Sequence, residues 1–215
     1  EGFDLANVSR SANGRAGFEM TATGRAQSPS ALIGAMTGSG QIRLDNVQIP
    51  GPSIAAVRSV ADAALLGTVS NEPETLQQAL GTAVVGSIVE LGTRTATLTI
   101  AEGTAKIEPM MLESAQGKLN VVTSMDLLAL GLDSVWKVAP TLSPLAIQGE
   151  APAGWSPSQS KGPLPEVAVA YRGRLDDLAN LTIGIGIGDM QRELTVRQME
   201  RNVEELERLR KLDEQ

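Results

Sequence analysis

The stretch Thr93–Leu130 constrains the fold more than any other part of the chain. It reads TRTATLTIAEGTAKIEPMMLESAQGKLNVVTSMDLLAL. Its runs alternate in polarity and break at Glu102-Gly103 and at Gln116-Gly117. In the first run Ala96, Leu98 and Ile100 point one way, and Thr95, Thr97 and Thr99 the other. In the last, Leu119, Val121, Met125 and Leu127 share a face opposite Lys118, Asn120, Ser124 and Asp126. A period of two with glycine at the breaks predicts an antiparallel meander with one apolar face. The middle run loses its alternation at Pro109-Met110-Met111. A bulge or an edge position is expected there, because proline cannot donate to a ladder.

Flanking segments extend the pattern. Arg15–Arg25 alternates, with Ala16, Phe18, Met20 and Ala22 on one face, and predicts a strand. Ser28-Pro29 is a helix start, and the short helix should turn Ala31, Leu32, Ala35 and Met36 inward and stop near Gly38. Gly40–Gly51 reads as strand, bend at Asp45-Asn46, strand. It resembles Ala96–Ile107 closely enough to suggest a weak internal repeat of a strand–turn–strand unit. Pro52 opens a helix with Ile54, Val57, Ala61, Ala64 and Leu65 at helical spacing and a stop at Gly67. Asn71-Glu72-Pro73-Glu74 starts another, with a stripe of Leu76, Leu80, Val84 and Ile88 interrupted by Gly81 and Gly86. Both helices read as lids on one side of the sheet.

Ser134–Val138 and Glu166–Arg172 predict further strands. Between them, Pro140–Pro165 is rich in Pro, Gly, Ser and Gln and reads as a long, mobile loop, with Trp155 folded back onto the sheet or anchoring a ligand. In LTIGIGIGD, Leu181–Asp189, isoleucines alternate with glycines. A thin strand whose glycines admit another backbone fits better than a phosphate loop, since the Walker lysine and the dinucleotide spacing are missing. Met190–Gln215 is expected to be one helix. Val196, Met199, Val203 and Leu206 follow 3-4-3 spacing, extended by Leu209 and Leu212. Glu193 with Arg197, Glu204 with Arg208, and Glu207 with Lys211 stand four apart in the favourable order. Such a helix docks on its own domain or pairs with a partner; two heptads do not decide between them.

Composition limits the chemistry. Of 215 residues, aromatics make up 2%, so the core must be aliphatic and stacking platforms for bases or sugars are scarce. A net charge of −7 argues against nucleic acid, which needs a basic stripe. The chain has neither His nor Cys. It therefore lacks the usual general base, zinc ligand and pH switch, and has no disulfide or thiol chemistry. Asp176-Asp177 after a strand could hold a cation, but adjacent acids there more often cap a helix or line a solvated turn. Ser9 and Ser11 have no histidine to activate them. We expect no catalytic residue, no metal and no cofactor. The longest uncharged helical run, Thr75–Val89, is too short and too polar to span a bilayer. The chain begins with Glu1 and shows no signal peptide, so a piece of a longer protein is expected.

A family resemblance follows from the order of these motifs. The segments PSALIGAMTGSGQIRLDNVQIPGPS (Pro29–Ser53), TATLTIAEGTAKIEPMMLESAQGKLNVVTSMDL (Thr95–Leu127) and PEVAVAYRGRLDD (Pro165–Asp177) resemble, in that order, the C-terminal region of AsmA-like envelope proteins. The resemblance implies a Gram-negative periplasmic segment tethered to the inner membrane by a part outside this chain. Its role would lie in outer-membrane biogenesis, with phospholipid carried along an apolar β-groove. It offers no catalytic residue. It also leaves room for phospholipid or acyl chains, and for envelope proteins, as partners.

The expected fold is α+β: a twisted, mostly antiparallel β-sheet with helices on one face and a C-terminal amphipathic helix. Residues 1–180 would form the β-rich domain, with a helical insert at 52–91 and the Pro-rich loop at 140–165. Residues 181–215 would add the Gly-rich strand or loop and the last helix. An apolar sheet face can be covered by its own helices, by a partner protein or by lipid, and burial is worth about 25 cal/mol per Å² under any of them. The candidate lipid-contact face is Leu98, Ile100, Leu119, Val121, Met125 and Leu127. The alternative function is a non-enzymatic interaction scaffold whose contact is the helix carrying Val196, Met199, Val203 and Leu206.

Overall fold

The computed structural model describes residues 2–4, 12–143, 153 and 163–214. Among the described residues the centre is one antiparallel sheet of nine strands in which spatial order equals chain order. These are β1 (Gly2–Asp4), β2 (Asn13–Thr23), β3 (Thr37–Pro50), β4 (Ile88–Ala101), β5 (Thr104–Ser114), β6 (Gly117–Asp126), β7 (Gly131–Pro140), β8 (Val167–Arg174) and β9 (Thr182–Gly186). The helices are α1 (Pro29–Gly34), α2 (Ile54–Leu65), α3 (Pro73–Val85) and α4 (Gly188–Asp213), with a 3-10 turn at Leu178–Asn180. The α+β class and the antiparallel meander are as the alternation requires.

Turn chemistry explains the hairpins. Glu102 and Gly103 both take positive φ, 51° and 74°, which matches the twist of the strands they join. The Asp126 carboxylate accepts from the amides of Leu128 and Ala129 at 2.9 Å and shapes the turn into β7. Asp45-Asn46, by contrast, does not turn the chain. β3 runs through it as a single strand with a register shift, Asn46 at φ 49°, and Thr93 Oγ1 donating to Asp45 and accepting from the Asn46 amide. This is a bulge, so the proposed internal repeat fails: 96–107 is a hairpin and 40–51 is not. The irregularity expected near Pro109 is a bulge as well, between Ile107 and Met110.

Other element ends differ from expectation. α1 stops at Gly34 and buries none of its residues; Ala31, Leu32 and Ala35 are exposed, and Met36, just past its end, packs inward. Gly38 belongs to β3, where a Cβ would lie 2.6 Å from the Thr21 carbonyl oxygen, so this close strand approach requires glycine. α2 is capped by the Ser53 hydroxyl, which accepts from the Ala56 amide at 3.2 Å, and ends at Gly67 with φ 78°. α3 starts one residue later than the Asn71 cap would place it, with Glu72 in the cap position. Asn71 is engaged elsewhere, donating to Gln198 Oε1 at 2.8 Å on α4. Ile88 leaves the α3 stripe because Gly86 ends the helix; it opens β4, so the helical insert does not reach residue 91.

The main core lies between one sheet face and the helices. Val57, Ala61, Ala64 and Leu65 of α2, Leu76, Leu80 and Val84 of α3, and Met190 and Leu194 of α4 pack on Val89, Leu91, Leu119, Val121, Trp136, Val138, Val167 and Val169. Helices therefore cover one face, as expected. A second cluster, Leu98, Ile100 and Ala105 with Met36, Ile42, Ile107, Met125 and Leu127 packed against it, sits at the α1 end. β9 pairs with β8 and α4 enters the main core, so residues 181–213 join the same body as the sheet. A Cβ at Gly184 would meet no atom within 4 Å, so β9 needs no glycine there to pair with β8. Most of the Pro140–Pro165 segment, with Trp155, and also Ser9 and Ser11, lie outside the described residues. Its described ends are held: Thr141 bridges to Pro163, and the Ser143 amide donates to Asp62 Oδ1 on α2 at 3.0 Å.

Candidate functional site

Directly opposed residues in antiparallel strands point to the same side, so the register assigns the helix-covered face residue by residue. One row crosses eight strands: Met20, Gly40, Leu98, Ile107, Thr123, Ser134, Tyr171 and Ile183. Phe18, Ile42 and Ala96 form a shorter row beside it. Met110, Val121, Trp136, Val169 and Ile185 form the next row toward the helices. Leu112, Leu119, Val138 and Val167 lie beyond them. Ile100, Ala105, Met125 and Leu132 flank the other side. The apolar wall is thus continuous across the sheet. The opposite face carries Thr95, Thr97, Thr99, Lys106, Lys118, Asp133, Lys137 and Arg172, all exposed.

The candidate face falls into two covered parts. Leu119 and Val121 lie under the helices, and Leu98 and Ile100 are in the second cluster; all four are buried. Met125 and Leu127 pack half-buried against that cluster, Leu127 from the turn after β6 rather than from the strand. The open part of the wall lies at the β2 end. Phe18 is 55% and Met20 40% exposed, beyond the helices, and among the described residues β1 pairs with β2 at Arg15–Gly17. The alternation of Arg15–Arg25 put both residues on the apolar face, but nothing local in the sequence marks that stretch as less covered than the Leu119 stretch.

Polar groups on the wall are few and mostly engaged. Thr123 and Ser134 share a hydroxyl–hydroxyl hydrogen bond of 2.7 Å, and the Trp136 indole donates to Ser134 at 2.9 Å. Tyr171 stands edge-on to Trp136, with ring centroids 6.0 Å apart. Burial pushes its phenol up to about 12. Arg94, opposite Leu44, brings a cation to this face; it donates to the carbonyls of Leu91 and, at 3.3 Å, of Met111. That second bond crosses a seam, because β4 and β5 pair only from Leu98–Ala101 to Thr104–Ile107.

The acids singled out from the sequence have structural work. Asp176 forms a two-point pair with Arg174, both contacts at 2.8 Å, and this hydrogen-bonded guanidinium holds its carboxyl below the usual range. Asp177 accepts from Asn180 across the 3-10 turn. Among the described residues no group of three or more Asp or Glu side chains is arranged to hold a metal ion, and no helix is long and apolar enough to cross a membrane.

On α4 the inward face is Met190 and Leu194, followed by polar contacts: Gln191 donates to the Asn71 carbonyl, Gln198 accepts from Asn71, and Arg201 donates to the Leu65 carbonyl. The stripe Val196, Met199, Val203 and Leu206, with Leu209, faces outward and is 45–67% exposed. Of the expected ion pairs, Glu193–Arg197 forms at 2.8 Å, while Arg208 is buried and pairs with Glu205 rather than with Glu204. No contact joins Glu207 to Lys211 among the described residues.

Comparisons with models of known protein families, with curated proteins and with solved structures find no match.

Proposed function

We propose that this chain is a non-enzymatic periplasmic module of an AsmA-like protein, acting in outer-membrane biogenesis by handling phospholipid acyl chains on its apolar sheet face. Its tether to the inner membrane would lie outside this chain. The observation that carries the reading is the unfinished cover of the wall. α2, α3 and α4 cover its centre, while Phe18 and Met20 continue the same face into solvent at the β2 edge. Exposed apolar area of this kind gains free energy from any acyl chain laid along it. The order of the family-like segments and the lack of His and Cys favour lipid handling over catalysis.

The test is acyl-chain contact. A photoreactive side chain at Phe18 or Met20 should cross-link to phospholipid acyl chains, one at Val121 should not, and solvent extraction of the purified chain should release phospholipid. A chain that carries no lipid and gives no cross-link at Phe18 or Met20 ends the proposal.

A further inference from the structure

We infer that the end of the sheet carrying α1 docks on a lipid bilayer surface through leucines at the tips of its turns. The inference is separate from acyl-chain handling on the sheet face, since it concerns the strand ends.

The topology gathers these turns. In an antiparallel meander successive connections leave from alternate ends. The connections β2–β3, β4–β5, β6–β7 and β8–β9 therefore share one end, and α2, α3 and α4 join the sheet at the other. Turns are ordinarily polar, and at the helical end the β5–β6 turn is Ala115-Gln116. At the shared end Leu32 of α1, Leu128 and Leu130 of the β6–β7 turn and Leu178 of the β8–β9 connection are 40–52% exposed. Neither turn nor core requires them. α1 buries none of its residues. Leu130 has φ 52°, a conformation that glycine or asparagine takes at lower cost. Leu127 of the same turn packs on the second cluster, so the tips are continuous with the apolar wall.

The chemistry of the tips selects a bilayer. The four connections hold no aromatic residue, and Arg174 is taken up by Asp176, so the aromatic and arginine anchors typical of protein partners are missing. The turn amides are satisfied from within. Leu128 and Ala129 donate to Asp126, Leu127 to the Gly103 carbonyl at 2.8 Å, and Leu175 to the Leu130 carbonyl at 2.8 Å. A hydrocarbon boundary offers no partner to a backbone amide, so this closure suits insertion there. Arg25 and Arg174 stand against Glu102, Asp126, Asp176 and Asp177 at this end. The attraction is therefore apolar and belongs to neutral headgroups, not to an anionic surface, which draws basic residues.

Flotation of the full chain with phosphatidylcholine vesicles tests this. We expect the chain to float with the vesicles equally at low and high salt, and less when an anionic phospholipid is added. Leu128→Ser with Leu130→Asn should abolish flotation without lowering the unfolding temperature, because Leu128 is exposed and asparagine suits φ 52°. Should that variant lose stability, Leu32→Ser takes its place and should weaken flotation, since α1 buries nothing. Leu206→Ser, on the exposed stripe of α4, should float like wild type. A wild type that does not float overturns the inference. So does flotation that survives the turn variants, that high salt abolishes, or that Leu206→Ser removes. A wild type that forms a dimer instead, dispersed by the turn variants, gives this end to a second copy. Flotation without an acyl cross-link at Phe18 or Met20 ends lipid handling on the wall and leaves the docking; a cross-link without flotation ends the docking alone.

Discussion

Tyr171 is the single tyrosine of the chain, which makes its ionisation readable without interference. Burial disfavours the phenolate, so the folded group titrates near 12 and the unfolded one near its ordinary 10. The sign follows directly. Below 10 both states hold the proton and the full stability is present. Between about 10 and 12 the unfolded chain releases it first, so stability falls as pH rises. Tyrosinate absorbance should show a midpoint of about 12 for the native protein and about 10 in denaturant, and Tyr171→Phe should remove this part of the alkaline loss. At this scale alternation told which side of the sheet a residue faces. It did not tell how much cover that side receives, because Phe18 and Val121 have the same local pattern while only Val121 lies under helices brought from elsewhere in the chain.

For elements, α4 shows where periodicity misleads. Its most regular apolar stripe faces solvent, while its docked face reads as polar, since glutamine and arginine side chains reach carbonyls and an amide there. Long polar side chains can make a docking face through their stems and terminal donors, and a hydrophobic count does not register them. The two faces should therefore respond differently to truncation. Leu194→Ala removes a fully buried side chain and should cost about 2–5 kcal/mol. Leu206→Ala should fall within about 0.5 kcal/mol of wild type. Urea titration of both variants decides it. α2 and α3 were legible because their buried positions are all aliphatic and repeat at helical spacing. Ile88 was misplaced because it continues that spacing past Gly86, where the helix ends.

Taken whole, the molecule is a meander in which every strand pairs with its sequence neighbours, so pattern and turn residues sufficed to state the class. The seam was legible in part: the lost alternation at Pro109-Met110-Met111 marks a bulge or an edge position, and β5 has the bulge there and, beyond Ile107, no ladder to β4; nothing in the alternating run of β4 marks its side of the gap. Along 92–97 and 108–113 the backbone groups facing the seam lack ladder partners. Their amides should exchange with solvent faster than those paired between β6 and β7, as hydrogen exchange resolved by residue would show. Arg94 reaches across the gap through Met111. Arg94→Gln should quicken exchange along both borders while leaving β6–β7 unchanged. The sheet is then two leaves whose ladders meet along a short spine, Leu98–Ala101 against Thr104–Ile107, with the helices packed on Val89 and Leu91 of one leaf and on Leu119 to Val169 of the other. Phe18 and Met20 ride on one leaf and most of the helical cover on the other, so a small change in the angle of the binding would alter how much room lies above Phe18 without breaking a single hairpin.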